Sequence, residues 1–217
     1  MSHPWKIAVA FVARIRPRAM LKWSLSTLML TASLGSAAQS QAPVRLRGSI
    51  ESQTATELVV QDRSGEKITL RLPEKFTFQE VVPIDITAIE TNAFIGTAAV
   101  PRADGTLVAL EVVVLPESAR GTGEGHYPWD LRTDSSMTNA TVANLVRNAG
   151  QRTLTLRYKD GEKTVQVPDS VPVVTFKPGT PELIQAGAKV FIVATTVDGK
   201  PTVTRLVIGR NGFAPPM

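Results

Sequence analysis

Beyond Pro43 the hydrophobic and polar positions follow the periods of β-structure. Leu154, Leu156 and Tyr158 alternate with Thr153, Thr155 and Arg157, and Ile68, Leu70 and Leu72 alternate with Thr69 and Arg71. That period of two is the signature of a half-buried strand. Ala93–Val100, Leu107–Leu115, Val190–Thr196 and Val203–Ile208 are more continuously apolar, as strands covered on both faces are. Between the runs stand Arg63-Ser64-Gly65, Asp104-Gly105, Lys159-Asp160-Gly161 and Asp198-Gly199, residues that tolerate the positive φ of tight hairpin turns. No helical period extends over ten residues after the leader; short helical turns are expected around Pro83–Ala88 and Pro181–Gln185.

The punctuation repeats. Gly65-Glu66-Lys67 returns as Gly161-Glu162-Lys163, Leu72-Pro73 as Val167-Pro168, and Asp104-Gly105 as Asp198-Gly199. Val112-Val113-Val114 then stands against Leu206-Val207-Ile208. Ordered matches of this kind point to an internal duplication. The first unit is expected to have strands at about 44–52, 56–62, 66–72, 93–100 and 107–115, and the second at about 138–147, 152–158, 162–167, 188–196 and 202–208. Five strands with an insertion after the third match the layout of an OB-like barrel. The expected fold is therefore all-β: two tandem five-stranded OB-like barrels, at 43–116 and 137–210, joined by a glycine-rich and aromatic linker at 117–136. Residues 211–217 are expected to form a disordered tail.

Charge changes the picture only at the N-terminus. The 217 residues carry 24 Lys+Arg and 19 Asp+Glu, a formal +5. Lys6, Arg14, Arg16, Arg18 and Lys22 all precede residue 39, where no acid occurs, so 19 bases face 19 acids in the remainder. A basic stretch, a short apolar run from Leu25 to Leu34, and small residues through Ala38 make residues 1–38 a secretory signal peptide, with Met20 an alternative start. The ten-residue run is half of what a membrane span needs, which is about 20 residues. The expected product is periplasmic or secreted, with no integral membrane span after cleavage. Having no cysteine, it must stand on its apolar core without disulfides. Neutral charge and export argue against a nucleic-acid partner. Residues 43–120 hold 8 bases and 11 acids, whereas 121–217 hold 11 bases and 8 acids, an opposition that favours association of the halves.

The leader, the strand–Asp-Gly–strand ending of each unit and the Gly121–Asp130 linker together resemble a family of secreted bacterial proteins with repeated small OB-like domains and no established function. The resemblance covers most of residues 43–210 and implies fold and compartment. Some relatives carry names implying metal ABC transport, but a permease needs several spans and none follows the leader.

Candidate chemistry is confined to the linker. Gly121-Thr122-Gly123-Glu124-Gly125-His126-Tyr127-Pro128-Trp129-Asp130 holds the only histidine and tryptophan beyond the leader. His126, Tyr127, Trp129 and Asp130 are the expected interdomain or ligand contacts, aromatic groups being suited to bury area while pairing a polar tip. His126, Glu124 and Asp130 are weak metal candidates, because transition-metal sites use clustered His, Cys or Met ligands and only His126, Met137 and Met217 remain. No calcium loop, P-loop, dinucleotide fingerprint or nucleophile elbow occurs, so no cofactor and no catalytic residue is assigned. The expected function is a soluble, non-enzymatic binding or interaction module for an unknown small ligand or envelope protein. An accessory role in metal or solute uptake through the His126 region is one alternative, an envelope hydrolase another.

Overall fold

The computed structural model describes residues 42–148 and 151–217. The expected signal peptide at 1–38 lies outside them. Fourteen strands form one hydrogen-bonded network: β1 (Val44–Gln53), β2 (Glu57–Asp62), β3 (Lys67–Arg71), β4 (Thr77–Pro83), β5 (Phe94–Pro101), β6 (Leu107–Ala109), β7 (Val112–Val114), β8 (Gly125–Pro128), β9 (Ser136–Asn148), β10 (Gln151–Tyr158), β11 (Gly161–Gln166), β12 (Val173–Pro178), β13 (Lys189–Val197) and β14 (Lys200–Gly209). Short 3-10 turns at Ile86–Ala88 and Pro181–Leu183 fall where helical turns were expected. The Asp198-Gly199 hairpin places both residues at positive φ (51° and 74°), as a tight two-residue turn requires.

A five-stranded barrel closes, but not within residues 43–116. β1 pairs with β2 and β2 with β3, both antiparallel. β3 then runs parallel to β14, β14 antiparallel to β13, and β13 antiparallel to β1. Three strands from the first half are thus completed by two from the second. Their inward residues, among them Ile50, Leu58, Val60, Ile192, Leu206 and Ile208, form one core, against which Leu183 of the second 3-10 turn packs.

The additional strands follow the same pairing rule. β9, β10 and β11 form an antiparallel meander, β11 is parallel to β6, β6 is antiparallel to β5, and β5 returns to β9. Ile95, Val142, Leu154, Leu156 and Val165 fill this second core together with Ile86 and Ile89 from the first 3-10 turn. The expectation of self-contained segments at 43–116 and 137–210 is corrected accordingly: each half sends its last strands to the other half's meander. The crossing strands β4 and β12 pair antiparallel with each other, with Val81 opposite Phe176. β4 also lies parallel to β14, and β12 parallel to β7. A third apolar cluster covers this central sheet, with Val81, Val113, Val174, Phe191 and Val207 beneath Trp129, Phe213 and Met217.

Two further expectations change. Residues 117–136, expected as a glycine-rich and aromatic linker, contain β8, which pairs with β9. Residues 211–217 are not a loose tail either: Met217 is buried in the third cluster and its carbonyl accepts the Arg47 Nε–H at 2.7 Å. Apolar burial and a satisfied backbone acceptor hold this segment down, where composition alone read Pro and Gly as disorder.

Candidate functional site

The site is built where β8 meets the central sheet. Gly121, Gly123 and Gly125 all have positive φ (80°, 60° and 141°), turning the chain sharply into β8. Within β8, His126 pairs with Thr138 and Tyr127 with Met137. Successive residues face opposite sides of a strand, so Tyr127 and Trp129 share a face that His126 does not. A turn closed by Trp129 N–H to Ser135 O (2.8 Å) and by the Ser135 hydroxyl to Trp129 O (2.8 Å) fixes the exit.

Arginines of β1 hold this end. Arg45 stacks its guanidinium over Trp129, 4.0 Å from the ring centroid. Arg47 donates to Asp130 Oδ1 at 2.8 Å and lies over Phe191. The Asp130 carboxyl is shifted two ways: burial raises it, and the bond and charge of Arg47 together with Arg45 outweigh that, leaving it below the usual range.

Beneath Trp129 lies a cavity of about 330 Å³. Its wall includes Tyr127, Trp129, Phe176 and Phe191 as aromatic surfaces, and Glu111, Gln79, Asn139 and Arg205 as polar ones. Most of these are committed. Asn139 Nδ2 donates to the Tyr127 hydroxyl at 2.9 Å. Arg205 donates from Nε to Gln79 Oε1 at 2.9 Å and stacks 4.7 Å from the Phe176 centroid.

Glu111 differs. It is fully buried, and neither carboxylate oxygen has a hydrogen-bond partner. Its main chain is fixed, because the Thr97 hydroxyl donates to its carbonyl at 2.6 Å. Burial pushes the carboxyl up to about 8, opposed only weakly by the positive charge of Arg47. The Trp129 indole N–H is also buried without an acceptor. Unsatisfied groups of this kind cost about 1–3 kcal/mol each and are few in folded proteins, so two at one cavity call for a reason.

Of the residues singled out from the sequence, Tyr127 and Trp129 line the cavity and Asp130 anchors its rim. His126 instead bonds through Nδ1 to the Thr138 hydroxyl (2.8 Å), and burial with the nearby charge of Lys163 holds it below its usual value. Glu124 accepts the backbone N–H of Lys159 at 3.0 Å. The weak metal candidates His126, Glu124 and Asp130 therefore each have separate partners. Among the described residues no group of three or more His, Asp or Glu could hold a metal ion. Sequence reasoning missed Glu111; a lone acid inside the apolar run Leu107–Leu115 was its available signal.

No protein-family model matches the chain, and no curated protein or solved structure matches it either.

Proposed function

We propose that this chain is a non-enzymatic binding module that holds a small ligand in the cavity beneath Trp129. The observation that carries the reading is a pair of buried, unsatisfied polar groups, the Glu111 carboxylate and the Trp129 indole N–H, at one aromatic-walled cavity. Cavities of roughly 300–1,000 Å³ with apolar walls and a few placed polar groups are typical of small-molecule sites. Nothing in the pairings of His126, Glu124 and Asp130 favours metal uptake, and the His126–Thr138 contact does not favour hydrolysis, because the Thr138 side chain is fully buried.

The same proposal treats the protein as exported through residues 1–38 and as a duplicated pair of OB-like barrels with exchanged strands, like the secreted bacterial family it resembles. Recurrent irregularities support the duplication. The pairing skips Glu51 between β1 and β2 and Ala143 between β9 and β10. It skips Thr204 between β13 and β14, while β6 and β7 part at Leu110. Bulges are inherited features of a sheet more often than accidents.

The test is native mass spectrometry on the protein purified from its own envelope, paired with thermal shifts against a metabolite panel. A retained small molecule, lost in Trp129→Ala, is the expected result. An empty protein with no shift from any compound would end the ligand-binding reading.

A further inference from the structure

Glu111 and Arg205 occupy equivalent places. Aligning Asp104-Gly105 with Asp198-Gly199 brings Glu111 onto Arg205; Arg205 follows Thr204, which the β13–β14 pairing skips, and Glu111 follows Leu110 in the break between β6 and β7. Both line the cavity. Arg205 is supplied by the sheet itself: its strand pairs it with Thr77, Gln79 accepts its Nε–H, and Phe176 lies under its guanidinium. Arg47, whose charge acts on Glu111, is spent on Asp130 and on the Met217 carbonyl. The acid alone is left without a counterpart.

A buried carboxyl without a partner stays in its neutral form unless something positive joins it. The rings are of a kind that attracts a cation through the quadrupole: Trp129, Phe191 and Phe176 each already hold an arginine guanidinium over one face. Trp129 adds one unspent N–H, which wants an acceptor atom.

We infer that the cavity binds a small organic cation, its ammonium paired with Glu111, its apolar body against the aromatic walls, and an acceptor oxygen on the Trp129 N–H. This rests on the ligand-binding reading above. In the empty cavity the carboxyl keeps its proton. When the cation enters, the O–H bond of Glu111 breaks, the carboxylate pairs with the ammonium, and the proton leaves to solvent. Binding should therefore tighten as pH rises toward 8. The charged or titratable groups around Glu111 are Arg47 on β1, Arg205 on β14 and Tyr127 on β8. The arginines keep their charge in this range, and burial holds the Tyr127 hydroxyl above its usual value.

The experiment uses the whole protein and calorimetry with three probes of similar size: benzyltrimethylammonium, neutral phenethyl alcohol and anionic hydrocinnamate. Benzyltrimethylammonium cannot titrate, so any pH dependence belongs to the protein. The expected result is binding of this cation at least ~10-fold tighter than the alcohol, within the range of a desolvated cation–aromatic and ion-pair contact. A proton is released on binding, seen as a heat that varies with the buffer. Glu111→Gln should bring the cation down to the alcohol's affinity, abolish the proton release and leave the alcohol unchanged. If cation and alcohol bind equally, or the anion binds best, the cation class falls while the ligand-binding reading stands. If no probe binds, the cation class falls, and the ligand-binding reading falls with it only if the native protein also proves empty. Should the variant fold poorly, wild-type binding without proton release would by itself overturn the role of Glu111.

Discussion

The two strand circuits share one connectivity and differ at the last strand. In the first, β14 runs unbroken for ten residues, touching β3 at its start and β4 along its second half. In the second, the corresponding stretch is split into β6 and β7, which pair separately with β11 and β12. The continuous strand delivers Arg205 to a hydrogen bond and an aromatic face. The split strand leaves the Glu111 carboxyl buried beside the cavity with neither. A strand that carries on past its bulge at Thr204 therefore accompanies satisfied charge, and one that breaks at the corresponding place accompanies the unsatisfied group that marks a site.

The largest effect that tests this comparison is truncation of either core. Leu206→Ala and Leu156→Ala remove fully buried side chains and should each cost ~2–5 kcal/mol in urea melts. Because each core draws strands from both halves, both variants should unfold in one transition by Trp129 fluorescence and circular dichroism. Two separated transitions would break the shared-strand description.

Next comes Glu111→Gln. With the folded carboxyl at about 8 against an ordinary 4.5, the folded state keeps a proton that the unfolded chain has released between those values. Wild-type stability should thus fall as pH rises from 4.5 to about 8. The variant should be free of that decline and more stable by roughly 3 kcal/mol at about pH 7. Arg205→Ala should move the other way, losing about 2 kcal/mol with its bond to Gln79 and its packing on Phe176. Opposite signs at equivalent positions would sharpen the comparison, and equal signs would undo it.

The smallest effect belongs to β8, a strand added beside β9. His126→Ala should cost about 1 kcal/mol through the lost Thr138 bond. The His126 value is lowered in the fold, so its contribution is present above pH 6.5 and declines as pH falls below it. A titration of stability in wild type and variant, converging at acid pH, checks the sign.

Strands with strong alternation, such as Gln151–Tyr158, were legible from sequence because a period of two is a local property. So were the 3-10 turns at Ile86–Ala88 and Pro181–Leu183, though not those at Glu117–Ala119 and Arg210–Gly212. β4 and β12 were not: Gln79 and Glu80 interrupt the first, and both strands owe their pairing to each other and to distant strands rather than to their own pattern. The exchange was hidden for a related reason. An apolar strand such as β5 buries the same faces whether it returns to β1 or goes to β9, so periodicity does not choose between them. Tyr127 and Trp129 were legible as aromatic groups in a glycine-rich stretch. Glu111 was masked by the apolar residues around it, which read simply as strand.

The pairing of β3 with β14 has a consequence for the order in which the chain takes shape. The adjoining β4 closes over the same distance: Gln79 and Arg205 are 126 residues apart, and Glu80 and Arg210 are 130 apart, yet each pair meets where β4 runs beside β14 and the turn that follows it. Synthesis proceeds from the N-terminus, so β1, β2 and β3 must wait with open edges until residues 189–209 exist. Non-local closure of this kind is slow, since chain entropy is lost before contacts compensate. The N-terminal half thus keeps unpaired strand edges throughout most of its synthesis. It becomes a barrel only when its last partner arrives.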